Sequence, residues 1–194
     1  MASTREKLRQ LFQGEIAKPC RNLQIAQNHK FVSDLGKGNP ESMVIFCGEA
    51  PGEKEDESGH PFIGRAGKFF NESLKTIGLK REQIWVSNIV KFRPTENKTR
   101  NRKPTKKEIK ACLPILKKEI EIIDPKIIVA LGSIALHALT GRKYKINEVS
   151  GQKMSYDGRI LLPTYHPSAV MRFKKYKMQY QEDFKTIKKL LGGL

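Results

Sequence analysis

Four short apolar runs, Met43 to Cys47, Ile84 to Val90, Ile127 to Leu131 and one starting at Ile160 to Leu162, are separated by segments whose apolar residues recur at helical spacing. Short runs rich in β-branched side chains suit strands covered on both faces, as in a parallel sheet. Their alternation with helices predicts an α/β fold, a three-layer α/β/α sandwich around a central four-stranded parallel sheet. Leu8, Leu11 and Phe12 open the chain with a helical pattern, and Phe69, Phe70, Leu74 and Ile77 form another that stops at Gly78. Thr105-Lys106-Lys107-Glu108 carries a capping-box pattern; the helix it starts has Ile109, Cys112, Leu113, Leu116 and Ile120 on one face and ends at Asp124-Pro125. Ser133 is placed to cap a short helix ending before Gly141. In a sheet of this kind the loops that carry chemistry lie outside the carboxyl ends of the strands.

Charge narrows the partners. Thirty-seven Lys and Arg against 20 Asp and Glu leave a formal charge of +17, the sign that attracts polyanions, with nucleic acid foremost. The sequence has no long apolar span, signal peptide or lipidation motif, which removes a membrane partner. It reads as one soluble, intracellular domain over residues 1–194, cytoplasmic and nucleoid-associated in a prokaryote. Cys20, Cys47 and Cys112 are an odd number at wide spacing, matching neither a disulfide framework nor a complete four-ligand metal motif. They read as small buried apolar residues in a reducing compartment.

Three strand ends carry unusual residues. The first runs into Gly48-Glu49-Ala50-Pro51-Gly52, then Glu53, Glu55, Asp56 and Glu57 and Gly59-His60-Pro61-Phe62. Two glycines and a proline force a tight turn that lets backbone N–H groups and a carboxylate approach a planar ligand; the other reading is a βα loop with solvated acids. The second delivers Asn88 between apolar neighbours. Uracil offers O4 as acceptor and N3–H as donor, so one amide can pair with both, whereas cytosine reverses part of that pattern. Asn88 serves equally as a structural amide bonding loop backbone. The fourth ends in Tyr165-His166-Pro167-Ser168, a turn that aims the imidazole over the sheet edge and leaves the Ser hydroxyl and following amides for a phosphate. A lone His of this kind is otherwise a satisfied structural residue.

Taken in order, Gly48-Glu49-Ala50-Pro51-Gly52, Glu55-Asp56-x-x-Gly59-x-Pro61-Phe62-Ile63-Gly64-x-Ala66-Gly67, Ser87-Asn88-x-Val90-Lys91-x-Arg93-Pro94 and His166-Pro167-Ser168 resemble the family 4 uracil-DNA glycosylases over roughly residues 15 to 190. The resemblance implies monofunctional hydrolysis of the N-glycosidic bond of deoxyuridine flipped out of DNA, in base excision repair, by a monomer. Phe62 matches the family's stacking aromatic and Asn88 its base-reading amide. Glu49 matches the acid that positions water or stabilises the sugar cation, and His166 the residue that bonds uracil O2. Gly48, Ala50, Pro51 and Gly52 complete the base pocket, and Glu55 is placed to crowd C5 and exclude thymine. Ser168 would grip a phosphate, with Met171 and Arg172 where the superfamily inserts a wedge into the duplex.

Two departures stand out. The family usually holds a four-iron four-sulfur cluster on four cysteines; here Cys20 and Cys112 match two ligand positions while Ala17 and Phe92 occupy the others. Two thiolates cannot hold a cubane that takes four, so no cluster, metal or other cofactor is expected, with apolar packing around Phe92 in its place. The strongest catalysts of the superfamily carry an Asp just after the position of Glu49, where this chain has Ala50, as family 4 does. The segment Lys98 to Lys107 also lacks the histidine that a related branch bonds covalently to DNA. Alternatives at this stage are a catalytically impaired DNA-binding or replication accessory protein derived from a glycosylase, and a glycosylase for hypoxanthine or xanthine.

Overall fold

A computed structural model describes residues 2–193, so Met1 and Leu194, the ends of the expected domain, lie outside the described residues. The chain begins with α1 (Thr4–Gln13) and α2 (Lys18–Arg21), enters β1 (Val44–Gly48), and continues through α3 (Glu53–Ser58), α4 (Arg65–Thr76) and β2 (Trp85–Asn88). A two-stranded hairpin, β3 (Thr95–Glu96) and β4 (Arg100–Asn101), precedes α5 (Lys106–Ile123), β5 (Ile127–Leu131), α6 (Ser133–Thr140) and α7 (Ile146–Val149). Then come β6 (Met154–Tyr156), β7 (Arg159–Thr164), α8 (Pro167–Arg172) and α9 (Lys177–Gly192).

The central sheet has the order β2-β1-β5-β7-β6. Its first four strands are parallel and correspond to the four apolar runs. The fifth corrects the expected count: β6 runs antiparallel to β7, pairing Met154 with Leu161 and Tyr156 with Arg159. Asp157 and Gly158 join them with φ of 46° and 77°, the two positive values that a tight hairpin turn requires.

Alternation along each strand divides the core. Val44 and Phe46 join Val86, Val129 and Leu162 on one face, against residues of α4, α8 and α9. Ile45 and Cys47 join Trp85, Ile128, Ala130 and Leu161 on the other, against α1, α2, α5 and α6. The helix ends mostly follow the sequence signals. Thr105 accepts from Glu108 N at 3.2 Å while Glu108 Oε2 accepts from Thr105 N at 2.7 Å, and Asp124 closes α5 at φ 50°. α6 departs: Gly132, not Ser133, is its N-cap, at φ 90°, and a β-carbon there would lie 3.2 Å from His166 Cβ. The left-handed φ at Gly132, with His166 close by, favours a cap residue that has no side chain.

The cysteines require a second correction. Cys20 and Cys112 are joined by a disulfide that links α2 to α5 across a sequence separation of 92, with Cα atoms 4.8 Å apart. Sequence spacing carries no information about which helices meet. Cys47 is buried and unpaired, and burial, with Glu119 adding to it, pushes its thiol well above the ordinary range. Beneath the sheet edge the buried Lys91 ammonium donates to Glu119 and, at 2.5 Å, to Ser87 Oγ, and Trp85 Nε1 donates to Glu119 at 3.3 Å. This network fixes the chain as it leaves β2. Among the described residues no helix is long and apolar enough to cross a membrane.

Candidate active site

The strand order reverses at β1, whose neighbours are β2 on one side and β5 on the other; such a point opens a crevice at the carboxyl ends. A cavity of about 500 Å³ lies there, walled by the loop after β1, the turn after β5, Asn88 at the end of β2 and the Tyr165-His166 segment after β7. Glu49, Ala50, Pro51, Gly52, Glu55, Phe62, Asn88, His166 and Ser168 all line it. Gly48 stands just behind Asn88 and Phe62.

Phe62 is buried yet has a φ of 57°, a conformation that costs a bulky residue roughly 1–3 kcal/mol and persists only where its surroundings impose it. Gly67 is part of that imposition, because a β-carbon on it would overlap the Phe62 carbonyl. The Phe62 ring lies 5.2 Å from Phe70 and 5.9 Å from His166, centroid to centroid. Asn88 is buried at the end of β2, and its Oδ1 has no hydrogen-bond partner among the described residues. Leaving such an atom unpaired costs about 1–3 kcal/mol, and Asn88 is one of the residues that line the cavity.

Glu49 sits half-buried on the same wall. Burial raises its carboxyl pKa above the ordinary value, and the charge of Lys103 opposes that rise. Lys103 and Arg102 reach the cavity from the segment after the β3–β4 hairpin, together with Asn101 at the end of β4. In the sequence these residues are only part of a basic run, with no local mark of their place. Glu55 faces the cavity, but both of its oxygens are engaged with backbone: Oε1 accepts from Ile63 N at 2.9 Å and Gly64 N at 2.7 Å, and Oε2 from Gly52 N at 3.2 Å. It ties the two ends of the loop that carries Phe62.

His166 caps α8, its Nδ1 accepting from Ser168 N at 3.2 Å and lying 2.7 Å from Ser168 Oγ. The Ser168 hydroxyl is therefore engaged with the imidazole rather than held out for a phosphate alone. With Nδ1 the acceptor, the neutral tautomer carries its proton on Nε2. Burial lowers the His166 pKa to about 4, so the ring is neutral across the physiological range. Met171 and Arg172 lie exposed on α8, outside the cavity lining.

The four positions at which the resemblance implies cluster ligands, Ala17, Cys20, Phe92 and Cys112, are all buried and belong to one hydrophobic cluster. Their side chains do not fit a cubane: one pair of sulfurs is bonded together, and Phe92 offers a ring that packs edge-on against Phe31 at 5.5 Å, with Phe31 in turn 5.4 Å from Phe12.

Comparison with known proteins agrees with this geometry. A family model described as the Uracil DNA glycosylase superfamily matches residues 35–190. The chain is 39% identical over 178 residues to the type-4 uracil-DNA glycosylase of Thermotoga maritima, covering 91% of this chain and 90% of the relative. It is 39% identical over 181 residues to that of Pyrobaculum aerophilum, covering 87% and 88%. It is also 32% identical over 159 residues to a DNA polymerase of Bacillus phage SP01, covering 81% of this chain but 17% of the polymerase. Given these matches and the shared strand-end motifs, the chain belongs to the uracil-DNA glycosylase superfamily, within its type-4 family.

Proposed function

We propose that this protein is a monofunctional uracil-DNA glycosylase of base excision repair, hydrolysing the bond between C1′ and the base of a deoxyuridine flipped out of DNA. The observation that carries the reading is the buried, unpartnered amide oxygen of Asn88, beside the Phe62 ring in the wall of the crevice. A flipped uracil would stack on Phe62, a contact worth roughly 1–3 kcal/mol, and give its N3–H to Asn88 Oδ1 while O4 accepts from the amide N–H₂. Extrusion costs a few kcal/mol, so these contacts return what flipping consumes.

As the N-glycosidic bond breaks, its electron pair passes to the base and positive charge develops on the sugar. The neutral His166 donates Nε2–H to uracil O2, where the negative charge gathers, without needing to surrender its proton. The Glu49 carboxylate faces the sugar cation and orients the water whose oxygen attacks C1′. One proton of that water passes to the Glu49 carboxylate and finally to the uracil anion, so that neutral uracil and an abasic sugar with a C1′ hydroxyl remain. Gly48, Ala50, Pro51 and Gly52 supply backbone and space; Glu55 holds the pocket loop closed, which sets the room left at C5. Ser168 orients His166, and Met171 and Arg172 meet the duplex beside the site. The donor set at Ala17, Cys20, Phe92 and Cys112 points to an enzyme that works without an iron–sulfur cluster, and the whole chain acts as one monomeric domain on cytoplasmic, nucleoid DNA.

The test is incubation with oligonucleotides bearing uracil, hypoxanthine or xanthine, alkaline cleavage of abasic sites, and repetition with His166→Ala and Asn88→Ala. Product from uracil alone, reduced about 10²–10³-fold in either variant, is the expected result. Product from another base reassigns the pocket. No product from any substrate favours the second reading, a replication-linked DNA-binding module, which the match to part of a phage polymerase supports.

A further inference from the structure

We propose that His29 is a positioning residue that clasps the basic β3–β4 hairpin to α3, and thereby sets how many backbone phosphates the protein engages. The inference rests on the reading of the crevice as a DNA-binding site.

His29 is 66 residues from one of its partners and 27 from the other. Its Nδ1 lies 2.7 Å from Asp56 Oδ2 on α3, and its Nε2 lies 2.9 Å from Thr95 Oγ1 at the start of β3. The second oxygen of Asp56 accepts from Lys30 N at 2.7 Å. Each ring nitrogen thus has its own partner, the carboxylate on one side and the hydroxyl on the other. The order carboxylate, imidazole, hydroxyl resembles a nucleophile relay, but neither His29 nor Thr95 lines the cavity. The arrangement is a brace.

It braces a hairpin whose other contacts run within the hairpin and to α5. Arg102 donates to Thr95 O at 3.2 Å and grips Glu108 of α5 with two bonds of 2.8 and 2.6 Å, and Arg93 donates to Asn101 Oδ1 at 2.6 Å and Thr99 O at 2.7 Å. Those bonds close the hairpin on itself and on α5. Toward α3, the helix that follows the Glu49–Gly52 loop, the hairpin is held by His29 and by a longer Arg93–Glu53 contact of 3.8 Å with an exposed acid.

The hairpin carries Lys98, Arg100 and, just beyond it, Lys103, all exposed and none in an ion pair among the described residues. At its tip Thr99 N donates to Glu96 O at 3.2 Å around Asn97 and Lys98, whose φ values are 49° and 65°. A tight turn of this kind favours glycine where Lys98 stands. A cation held in a left-handed conformation at an exposed tip beside a DNA crevice is placed for a phosphate.

The experiment measures binding of the full-length protein to a duplex bearing one stable abasic analogue, across a salt series, with steady-state excision of uracil alongside. Each phosphate neutralised contributes about 0.9 to the log–log salt slope. His29→Ala is expected to flatten the slope by about 2 and raise KM roughly tenfold, while kcat stays within about threefold. Thr95→Val, which leaves the His29–Asp56 pair standing and guards against misfolding of the first variant, gives the same shift. Lys98→Ser with Arg100→Ser flattens the slope alone but adds nothing in the His29→Ala background. A wild-type slope in both clasp variants, or additive losses, overturns the clasp. A wild-type protein that excises uracil but binds without salt dependence overturns the phosphate role of the hairpin, and one that excises no uracil from any substrate overturns the underlying reading instead.

Discussion

Gly48 lies directly behind the amide of Asn88: a β-carbon on it would overlap Asn88 Oδ1 and come within 2.8 Å of Phe62 Cζ. The end of β1 thus presses on both groups that would hold the base. Gly48→Ala is expected to lower kcat/KM for uracil excision about 10²-fold or more, since displacements near 1 Å in a reacting geometry have that effect. Single-turnover assays beside thermal melts check it. Unchanged excision in a folded variant would remove Asn88 and Phe62 from base recognition.

Glu49 is held where its charge is unwelcome. Its folded pKa is raised, so between the unfolded and folded values the native state binds more protons, and stability falls as pH rises through that window. At neutral pH the carboxylate is a net burden on the fold. Glu49→Gln should therefore raise the melting temperature at pH 7 and leave it unchanged at low pH, while excision drops by orders of magnitude. A variant that melts lower at pH 7 would show that Glu49 has a stabilising partner.

Lys103 opposes that rise, which separates the roles of the two titrating groups. Because His166 protonates only near pH 4, the acid limb of kcat/KM belongs to Glu49 and lies above the ordinary carboxylate value. Lys103→Gln should move that limb to higher pH, and His166→Gln should leave it in place on the residual activity. A limb that follows His166 would reassign the group whose protonation stops the reaction.

The Cys20–Cys112 bond closes a long loop, and a disulfide typically contributes about 2–4 kcal/mol of stabilisation. Cys20→Ser should lower unfolding stability by about that amount in denaturant titrations, and a reductant should do the same to the wild type without adding to the variant. Under denaturing, non-reducing conditions thiol titration should count one group, Cys47. Three would mean that the bond does not form.

Much of this architecture was legible because its causes are local. Ile127 to Leu131 is a strand at the predicted residues, and Thr105 and Glu108 form the reciprocal cap their spacing suggests. The reading failed where the cause lies elsewhere in space. Cys20 meets Cys112, and His29 meets Thr95, only because helices and loops distant in sequence pack together. The cap of α6 falls on Gly132, one residue before Ser133, at a φ of 90° and beside His166, which is distant in sequence. The fifth strand is a different kind of omission: Asp157-Gly158 is a strong local hairpin signal, and β6 before it is too short to show an apolar alternation. In the candidate site, Glu49, Asn88 and His166 stand at strand ends and Phe62 on the loop between α3 and α4, whereas Lys103 has no pattern that separates it from the other cations around it.

The covalent link between α2 and α5 also divides the crevice topologically. Glu49, Phe62, Asn88 and the hairpin all lie inside the ring of chain closed by Cys20 and Cys112, and His166 lies outside it. A protease that cuts the exposed turn at Asn97-Lys98 would open the ring without releasing a fragment: both pieces migrate as one band until the disulfide is reduced. The base-reading half of this protein would stay covalently joined to the rest after a break in that exposed turn.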